Sequence, residues 1–235
     1  MVKGIFIAAR GLENRTKNID VVANNLANLS TTGFKREVPF IEILNQEGQI
    51  SIQQLKDFSP GELVSTSNTL DLALTGKGFF MVQTENGSQL TRNGNFQISS
   101  DGFLVDQSGN KVLGTKGEIN FGEMAFQKEQ TISISNTGEI RFGDQEVDQL
   151  KIVRMNDVQN AERAGNANFI TDEENISVME DNEFQVHQGY LEESNTNPIL
   201  EMEAMINLNK DYESSQRIIT YLDQSLSRTT EIGRV

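Results

Sequence analysis

The sequence predicts an α+β protein in which long N- and C-terminal helices pair as a coiled coil and flank a central antiparallel β domain. Apolar residues recur every seven positions near both ends of the chain, which is the spacing of a coiled-coil seam. The middle of the chain alternates apolar and polar residues and is divided by turn dipeptides. We assign residues 1–33 to the N-terminal helix, 34–62 to a connector, 63–194 to the β domain, and 195–235 to the C-terminal helix, which pairs with the first.

Two heptad rows predict the N-terminal helix. The rows consist of Ile5, Leu12, Ile19 and Leu26, and of Ala8, Val22 and Leu29. This stripe is narrow, as in a coiled coil, where two positions in seven are apolar. Gly33 is expected to end the helix in a left-handed conformation, which glycine adopts without steric cost. Phe34, the next residue, is expected to hold the connector against the β domain.

The C-terminal helix has matching features. Asn195, Thr196 and Asn197 supply capping side chains, and Pro198 is suited to the first helical position. The heptad rows that follow contain Met205, Tyr212, Ile219 and Leu226, and Leu208 and Leu222. Both ends of the chain therefore predict narrowly striped helices.

Hairpin signals predict the central domain. Residues 70–74 and 132–135 alternate apolar and polar side chains, as half-buried strands do. The turn signals are Asn86-Gly87, Asn93-Gly94, Asp101-Gly102, Ser108-Gly109-Asn110, Thr137-Gly138 and Gly143-Asp144. Turns at this spacing favour antiparallel pairing.

Composition excludes several classes of function. The chain has 235 residues and a net charge of −14, which disfavours a nucleic-acid partner. It has no cysteine and one histidine, His187, which excludes thiolate zinc sites, cysteine nucleophiles and sites with several histidines. No cofactor or metal is expected. No apolar run approaches the roughly 20 residues needed to cross a bilayer, so no membrane insertion is expected. The apolar patch at residues 4–9 is too short to predict a cleaved signal peptide.

The narrow stripes predict assembly with further subunits. Pairing two such helices leaves little apolar area buried per residue, which favours a polymer or ring of many copies. Residues 1–36 carry a net charge of +4 and the remainder −18. The N-terminal segment is therefore expected to meet an acidic surface of its own chain or of a neighbour, with an ordinary solvated helix face as the alternative. Asparagines near the seam would fix the register of the contact, although exposed asparagines are the alternative. The predicted assembly interface consists of Ile5, Leu12, Ile19, Asn24, Asn25, Leu26, Asn28, Leu29, Met205, Leu208, Tyr212, Ile219, Leu222 and Leu226.

Several motifs resemble those of the flagellar basal-body rod and hook protein family. The N-terminal motif is VANNLANLSTTGFKR at 22–36. The central motifs are LDLAL at 70–74, GKGFF at 76–80 and LTRNGNF at 90–96, and the C-terminal ones are GYLEESN at 189–195 and NKDYE at 209–213. The resemblance covers the chain from end to end.

The resemblance implies a structural, non-enzymatic subunit of the tubular rod. Its expected partners are other rod subunits, copies of itself and the flagellar type III export apparatus, and its expected location is the periplasmic rod of the basal body. Hook proteins are much longer, and distal rod proteins carry a Gly-rich insert that residues 47–54 (EGQISIQQ) do not match. A proximal rod subunit is therefore expected, with a distal one as the alternative.

Two other classes of function remain open from the sequence. A hydrolase would need two placed carboxylates or a triad around His187, but no spacing among the 34 acidic residues identifies a pair. A secreted β-rich binding module with a helical stalk would also combine strands and heptads, although its stalk would be contiguous in sequence.

Overall fold

The computed structural model describes residues 2–44, 50–122, 131–165 and 167–232. Within these residues the chain forms two helices, a short 3₁₀ helix at Glu173–Asn175 and eighteen strands. The helices are α1 (Val2–Ala27) and α2 (Pro198–Ile232). The strands are β1 (Glu37–Leu44), β2 (Ile50–Lys56), β3 (Leu63–Ser65), β4 (Leu72–Thr75), β5 (Phe79–Thr84), β6 (Gly87–Thr91), β7 (Phe96–Ile98), β8 (Leu104–Asp106), β9 (Lys111–Val112), β10 (Ile132–Ile134), β11 (Glu139–Phe142), β12 (Gln145–Gln149), β13 (Ile152–Met155), β14 (Glu162–Gly165), β15 (Asn168–Ile170), β16 (Ile176–Val178), β17 (Gln185–Gln188) and β18 (Tyr190–Glu192).

The predicted fold class is wrong, because the chain is mainly β and its described helices do not form the long paired coiled coil that the heptads predicted. The seam side chains that such a coiled coil would bury, including Leu12, Ile19, Tyr212 and Leu222, stay partly exposed. Val21 and Val22 are the only fully buried apolar side chains among the described residues of α1 and α2. A two-in-seven stripe supplies little apolar area, whereas the strands supply most of the buried apolar side chains.

The chain divides into two compact units. The helical unit comprises residues 1–29, 36–57 and 196–235, and the β unit comprises 30–35 and 58–195. In the helical unit, α1 and α2 are accompanied by an antiparallel hairpin of β1 and β2, whose register runs from Glu37 opposite Lys56 to Leu44 opposite Ile50. The sequence analysis treated this segment only as a connector. Neither described helix is both long and apolar enough to cross a membrane.

The β unit is built from antiparallel pairs. Its largest sheet follows the order β14-β15-β6-β5-β9-β8-β7, and β13 extends it by pairing with β5 and β16. Strands β10, β11 and β12 form a second sheet, while β17 pairs with β4 and β18 with β3. These last two pairs bring the end of the unit back to its beginning, at residues 185–192 and 63–75.

Strand β5 buries both of its faces. Phe80 and Val82 lie in one apolar cluster, whereas Phe79 and Met81 lie in another that also contains Phe169. Successive side chains of a strand point to opposite faces, so apolar residues at both parities fill two cores at once. This explains the uninterrupted apolar run that follows Gly78 in the sequence.

Candidate functional site

Three charged side chains meet in the interior of the β unit. Lys35 Nζ lies 2.5 Å from Glu192 Oε1, and both side chains are 0% exposed. Arg92 NH1 lies 3.3 Å from Glu192 Oε2, and the Arg92 side chain is also buried. We call Lys35, Arg92 and Glu192 the buried ion cluster. Buried charges require such pairing because desolvation of an unpaired charge costs several kcal/mol.

Backbone groups add hydrogen bonds to the cluster. Lys35 Nζ donates to the carbonyl of Ser59 at 2.7 Å, and the N–H of Gly61 donates to Glu192 Oε1 at 2.9 Å. Arg92 donates to the carbonyl oxygens of Leu74, at 3.1 Å, and of Gly76. The pKa of Arg92 is lowered chiefly by burial, which the charge of Glu192 opposes. The cluster therefore links five stretches of chain that are separated in sequence.

Gly33 is required next to this cluster. Its N–H donates to the carbonyl of Glu192 at 2.7 Å, and its φ is +68°. A Cβ atom at this position would lie 2.4 Å from both the carbonyl carbon of Arg92 and the nitrogen of Asn93. The left-handed conformation expected for Gly33 is confirmed, although Gly33 does not end the helix, because α1 ends at Ala27. The close approach supplies a second reason for glycine.

Phe34, which follows Gly33, is buried. The guanidinium carbon of Arg163 lies 4.2 Å from the centroid of its ring, and Arg163 NH2 donates to the carbonyl of Lys35 at 2.6 Å. Thr32 adds a hydrogen bond from its hydroxyl to Asn93 Oδ1 at 2.7 Å. Residues 32–35 are therefore fixed to the β unit by stacking, hydrogen bonds and an ion pair.

A second polar group lies within the helical unit. Asn25 Nδ2 donates to the carbonyl of Glu37 at 2.7 Å and to Glu201 Oε2 at 3.2 Å, while the N–H of Glu37 donates to Asn25 Oδ1 at 3.0 Å. Arg36 Nε donates to Glu201 Oε1 at 2.5 Å. We call Asn25, Arg36, Glu37 and Glu201 the polar junction. It joins the end of α1, the start of β1 and the first turn of α2.

The predicted interface residues differ in their burial and in their hydrogen bonds. Asn25 is buried and bonded within its own chain, whereas Asn24 is exposed and Asn28 donates to the carbonyl of Asn24 at 2.9 Å. The side chains of Ile5 and Leu226 lie outside the described ones. The remaining predicted residues are half-buried: Leu12, Ile19, Leu26, Leu29, Met205, Leu208, Tyr212, Ile219 and Leu222. Their role in assembly stays a prediction.

The sequence analysis missed the two polar groups. Lys35, Arg92 and Glu192 each stood in a quoted motif, but Lys35 and Glu192 are separated by 157 positions. No spacing rule pairs residues at that distance. The available signal was the presence of charged residues inside motifs that are otherwise apolar or made of turn residues.

Three family models match successive parts of the chain. A model described as "Flagella basal body rod protein" matches residues 5–35. A model of the D1 domain of the flagellar hook protein FlgE/F/G matches 73–142, and a model of the C-terminal part of the flagellar basal body rod FlgEFG protein matches 187–232. The buried ion cluster takes one residue from each of these matched segments.

Curated relatives match almost the whole chain. FlgF of Salmonella typhimurium, a flagellar basal-body rod protein, is 31% identical over 242 residues, covering 95% of this chain and 96% of the relative. The chain belongs to the flagellar basal-body rod protein family, in its FlgF/FlgG group. FlgF of Caulobacter vibrioides is 29% identical over 233 residues and covers 93% of each chain. FlgG of Buchnera aphidicola subsp. Baizongia pistaciae is 29% identical over 265 residues, with 97% of this chain and 98% of the relative covered.

Membership makes this protein a structural subunit of the flagellar basal-body rod. Within the part of the chain that the structure describes, no three acidic or histidine side chains form a group that could hold a metal ion. His187 Nε2 lies 2.9 Å from Thr75 Oγ1, and its ring lies 6.2 Å from that of Tyr190. The candidate site of this subunit is therefore a set of buried polar contacts and partly exposed helix faces.

Proposed function

We propose that the helical unit joins this rod subunit to other rod subunits and to copies of itself. The observation that carries the proposal is the partial exposure of the apolar rows on both helices, for example at Ile19, Leu26 and Tyr212. When a neighbour covers apolar side chains that are partly in water, the assembly is stabilised by about 25 cal/mol for each Å² of apolar surface buried. The predicted interface residues on α1 and α2 are the ones that a neighbouring subunit would cover.

We further propose a proximal position in the rod and an FlgF-like identity. The match to Buchnera FlgG extends over 265 residues, whereas this chain has 235, so that FlgG carries segments without a counterpart here. The match to Caulobacter FlgF extends over 233 residues. The absence of a Gly-rich sequence at residues 47–54 supports the same assignment.

The proposal includes delivery by the flagellar type III export apparatus to the periplasmic rod. The lack of cysteine supports it, because free thiols in the oxidising periplasm would form disulfides. We assign the subunit no enzymatic activity, no nucleic-acid partner and no membrane insertion.

Replacement of Leu26 by Asp tests the role of the helical unit. A carboxylate within a covered apolar row would cost several kcal/mol in the assembled rod. We expect Leu26→Asp to abolish swimming and rod completion while the β unit keeps its circular dichroism spectrum and unfolding midpoint. The matched control is Ala27→Asp, since Ala27 is the exposed neighbour. Normal swimming by Leu26→Asp would contradict the proposal.

A further inference from the structure

The β unit contains a pocket with apolar walls and positive charge. Its volume is about 450 Å³. The apolar lining consists of Phe58, Pro60, Phe79, Met155 and Val158. The charged lining residues are Lys77 and Arg92, and none of the described residues that line the pocket is acidic. Such a pocket suits an apolar side chain that is accompanied by a carboxylate.

The two cations of the pocket have different roles. Arg92 is buried, and its guanidinium carbon lies 5.1 Å from the centroid of the Phe79 ring. It is held by Glu192 and therefore contributes a fixed positive charge behind the aromatic wall. Lys77 is exposed, and none of the ion pairs among the described residues includes it. Lys77 is therefore available to a carboxylate from outside.

Helix α2 carries a surface with the complementary chemistry. Ile199, Met202 and Ile206 are 71%, 49% and 55% exposed, and their spacing places them on one face of the helix. Glu203 lies four positions after Ile199 and three before Ile206, so it is adjacent to this face. Glu203 is exposed and, like Lys77, takes part in no ion pair among the described residues. We call Ile199, Met202, Glu203 and Ile206 the acidic apolar face.

We propose that the pocket of one rod subunit receives the acidic apolar face of α2 from a second copy. Apolar side chains of α2 would enter between Phe58 and Phe79, and Glu203 would pair with Lys77 at the rim. The contact joins two different surfaces of the same chain. Contacts of this kind repeat from copy to copy and build rings or helical tubes instead of closed dimers. This inference rests on the proposed function, because only an assembling subunit has a second copy beside it.

Cross-linking tests the contact without disturbing its charges. The chain has no cysteine, so introduced cysteines react alone. Pro60 is exposed at the pocket, and Asn207 is exposed one turn after Glu203. Cells would express Pro60→Cys and Asn207→Cys on separate copies, and basal bodies would be treated with a short bismaleimide. We expect a covalent dimer of this chain. The matched control replaces Asn207→Cys by Gln224→Cys, an exposed position about 25 Å further along α2, and should give at least tenfold less dimer.

A charge exchange shows whether Lys77 and Glu203 meet. Lys77→Glu should remove most of the Pro60–Asn207 dimer, and Lys77→Glu on one copy with Glu203→Lys on the other should restore it. Equal dimer yield with Gln224→Cys, adducts only with a different protein, or no dimer in basal bodies of swimming cells would each overturn the inference. The proposed function fails on a different result, normal swimming by Leu26→Asp, so failure of the inference and failure of the proposed function are distinguishable.

Discussion

A lysine–glutamate pair on the described surface of the helical unit and another in the interior of the β unit occur in opposite environments. In the helical unit, Lys17 Nζ lies 2.8 Å from Glu13 Oε1, and the side chains are 47% and 64% exposed. In the β unit, Lys35 and Glu192 are 2.5 Å apart and fully buried. Exposed pairs contribute roughly 0–1 kcal/mol, whereas removing one partner of a buried pair costs about 3–5 kcal/mol. A lysine–glutamate pair is therefore expected to contribute strongly to stability only where it is buried.

The apolar side chains show the same contrast. The β unit fills two apolar clusters, whereas α1 and α2 leave most of their apolar rows partly exposed. A unit with filled cores is stable by itself, while a unit with exposed rows gains stability when a neighbour covers them. The difference suggests that the β unit is the stable body of each subunit and that the helical unit is available for assembly.

The largest expected effect follows from removing the shared carboxylate of the buried ion cluster. Glu192→Ala leaves Lys35 and Arg92 buried without their counter-ion, and we expect the free energy of unfolding to fall by about 3–5 kcal/mol. Urea unfolding followed by circular dichroism measures this loss. Glu193→Ala is the matched control, because Glu193 is the exposed neighbour, and it should change stability by less than about 0.5 kcal/mol. An equal free energy of unfolding for the two variants would show that the buried carboxylate contributes no more to stability than the exposed one.

An intermediate effect is expected at Gly33. Gly33→Ala places a Cβ at 2.4 Å from the backbone of Arg92 and Asn93 and also forces alanine to a φ of +68°. Gly109→Ala is the matched control, since its φ is +84° but no atom lies within 4 Å of the added Cβ. We expect the free energy of unfolding of the control to fall by about 1–2 kcal/mol, because alanine must adopt the left-handed conformation. For Gly33→Ala the free energy of unfolding should fall by about 1–3 kcal/mol more, because the backbone at Arg92 and Asn93 must also shift. Urea unfolding compares the two, and equal losses would exclude a contribution from the close approach.

The smallest effect is expected at the exposed pair. The pKa of Glu13 is lowered by its hydrogen bond and charge interaction with Lys17. The pair therefore stabilises the folded chain above the ordinary pKa of glutamate, and the contribution is lost as the pH falls through the lowered value. In Lys17→Gln the pKa of Glu13 should rise, while unfolding at neutral pH stays unchanged within error. Carboxyl NMR titration measures the pKa, with Lys210→Gln on α2 as a control that leaves Glu13 unaffected. A clear loss of stability at neutral pH would contradict the contrast between the units.

Local signals in the sequence predicted local features well. The turn signals at Gly87, Gly102, Gly109, Gly138 and Gly143 correspond to positive φ angles. Heptad periodicity predicted helices at both ends, and α1 and α2 lie there, although α1 ends at Ala27 instead of continuing to residue 33. The periodicity did not establish burial, because a row of Ile and Leu has the same pattern whether a partner covers it or water does. The coiled coil was predicted on that basis, and it is the part that the structure corrects.

The sequence by itself determined the family, the absence of thiol chemistry and the positions of many turns, since each depends on residue identity or on neighbours along the chain. Only the tertiary structure showed that Lys35, Arg92 and Glu192 form one buried ion cluster and that Asn25 and Glu201 share a polar junction. Those contacts join residues more than 50 positions apart, and their energies depend on desolvation. Desolvation is a property of the folded interior, because the same lysine and glutamate interact weakly on an exposed helix and strongly in a closed core.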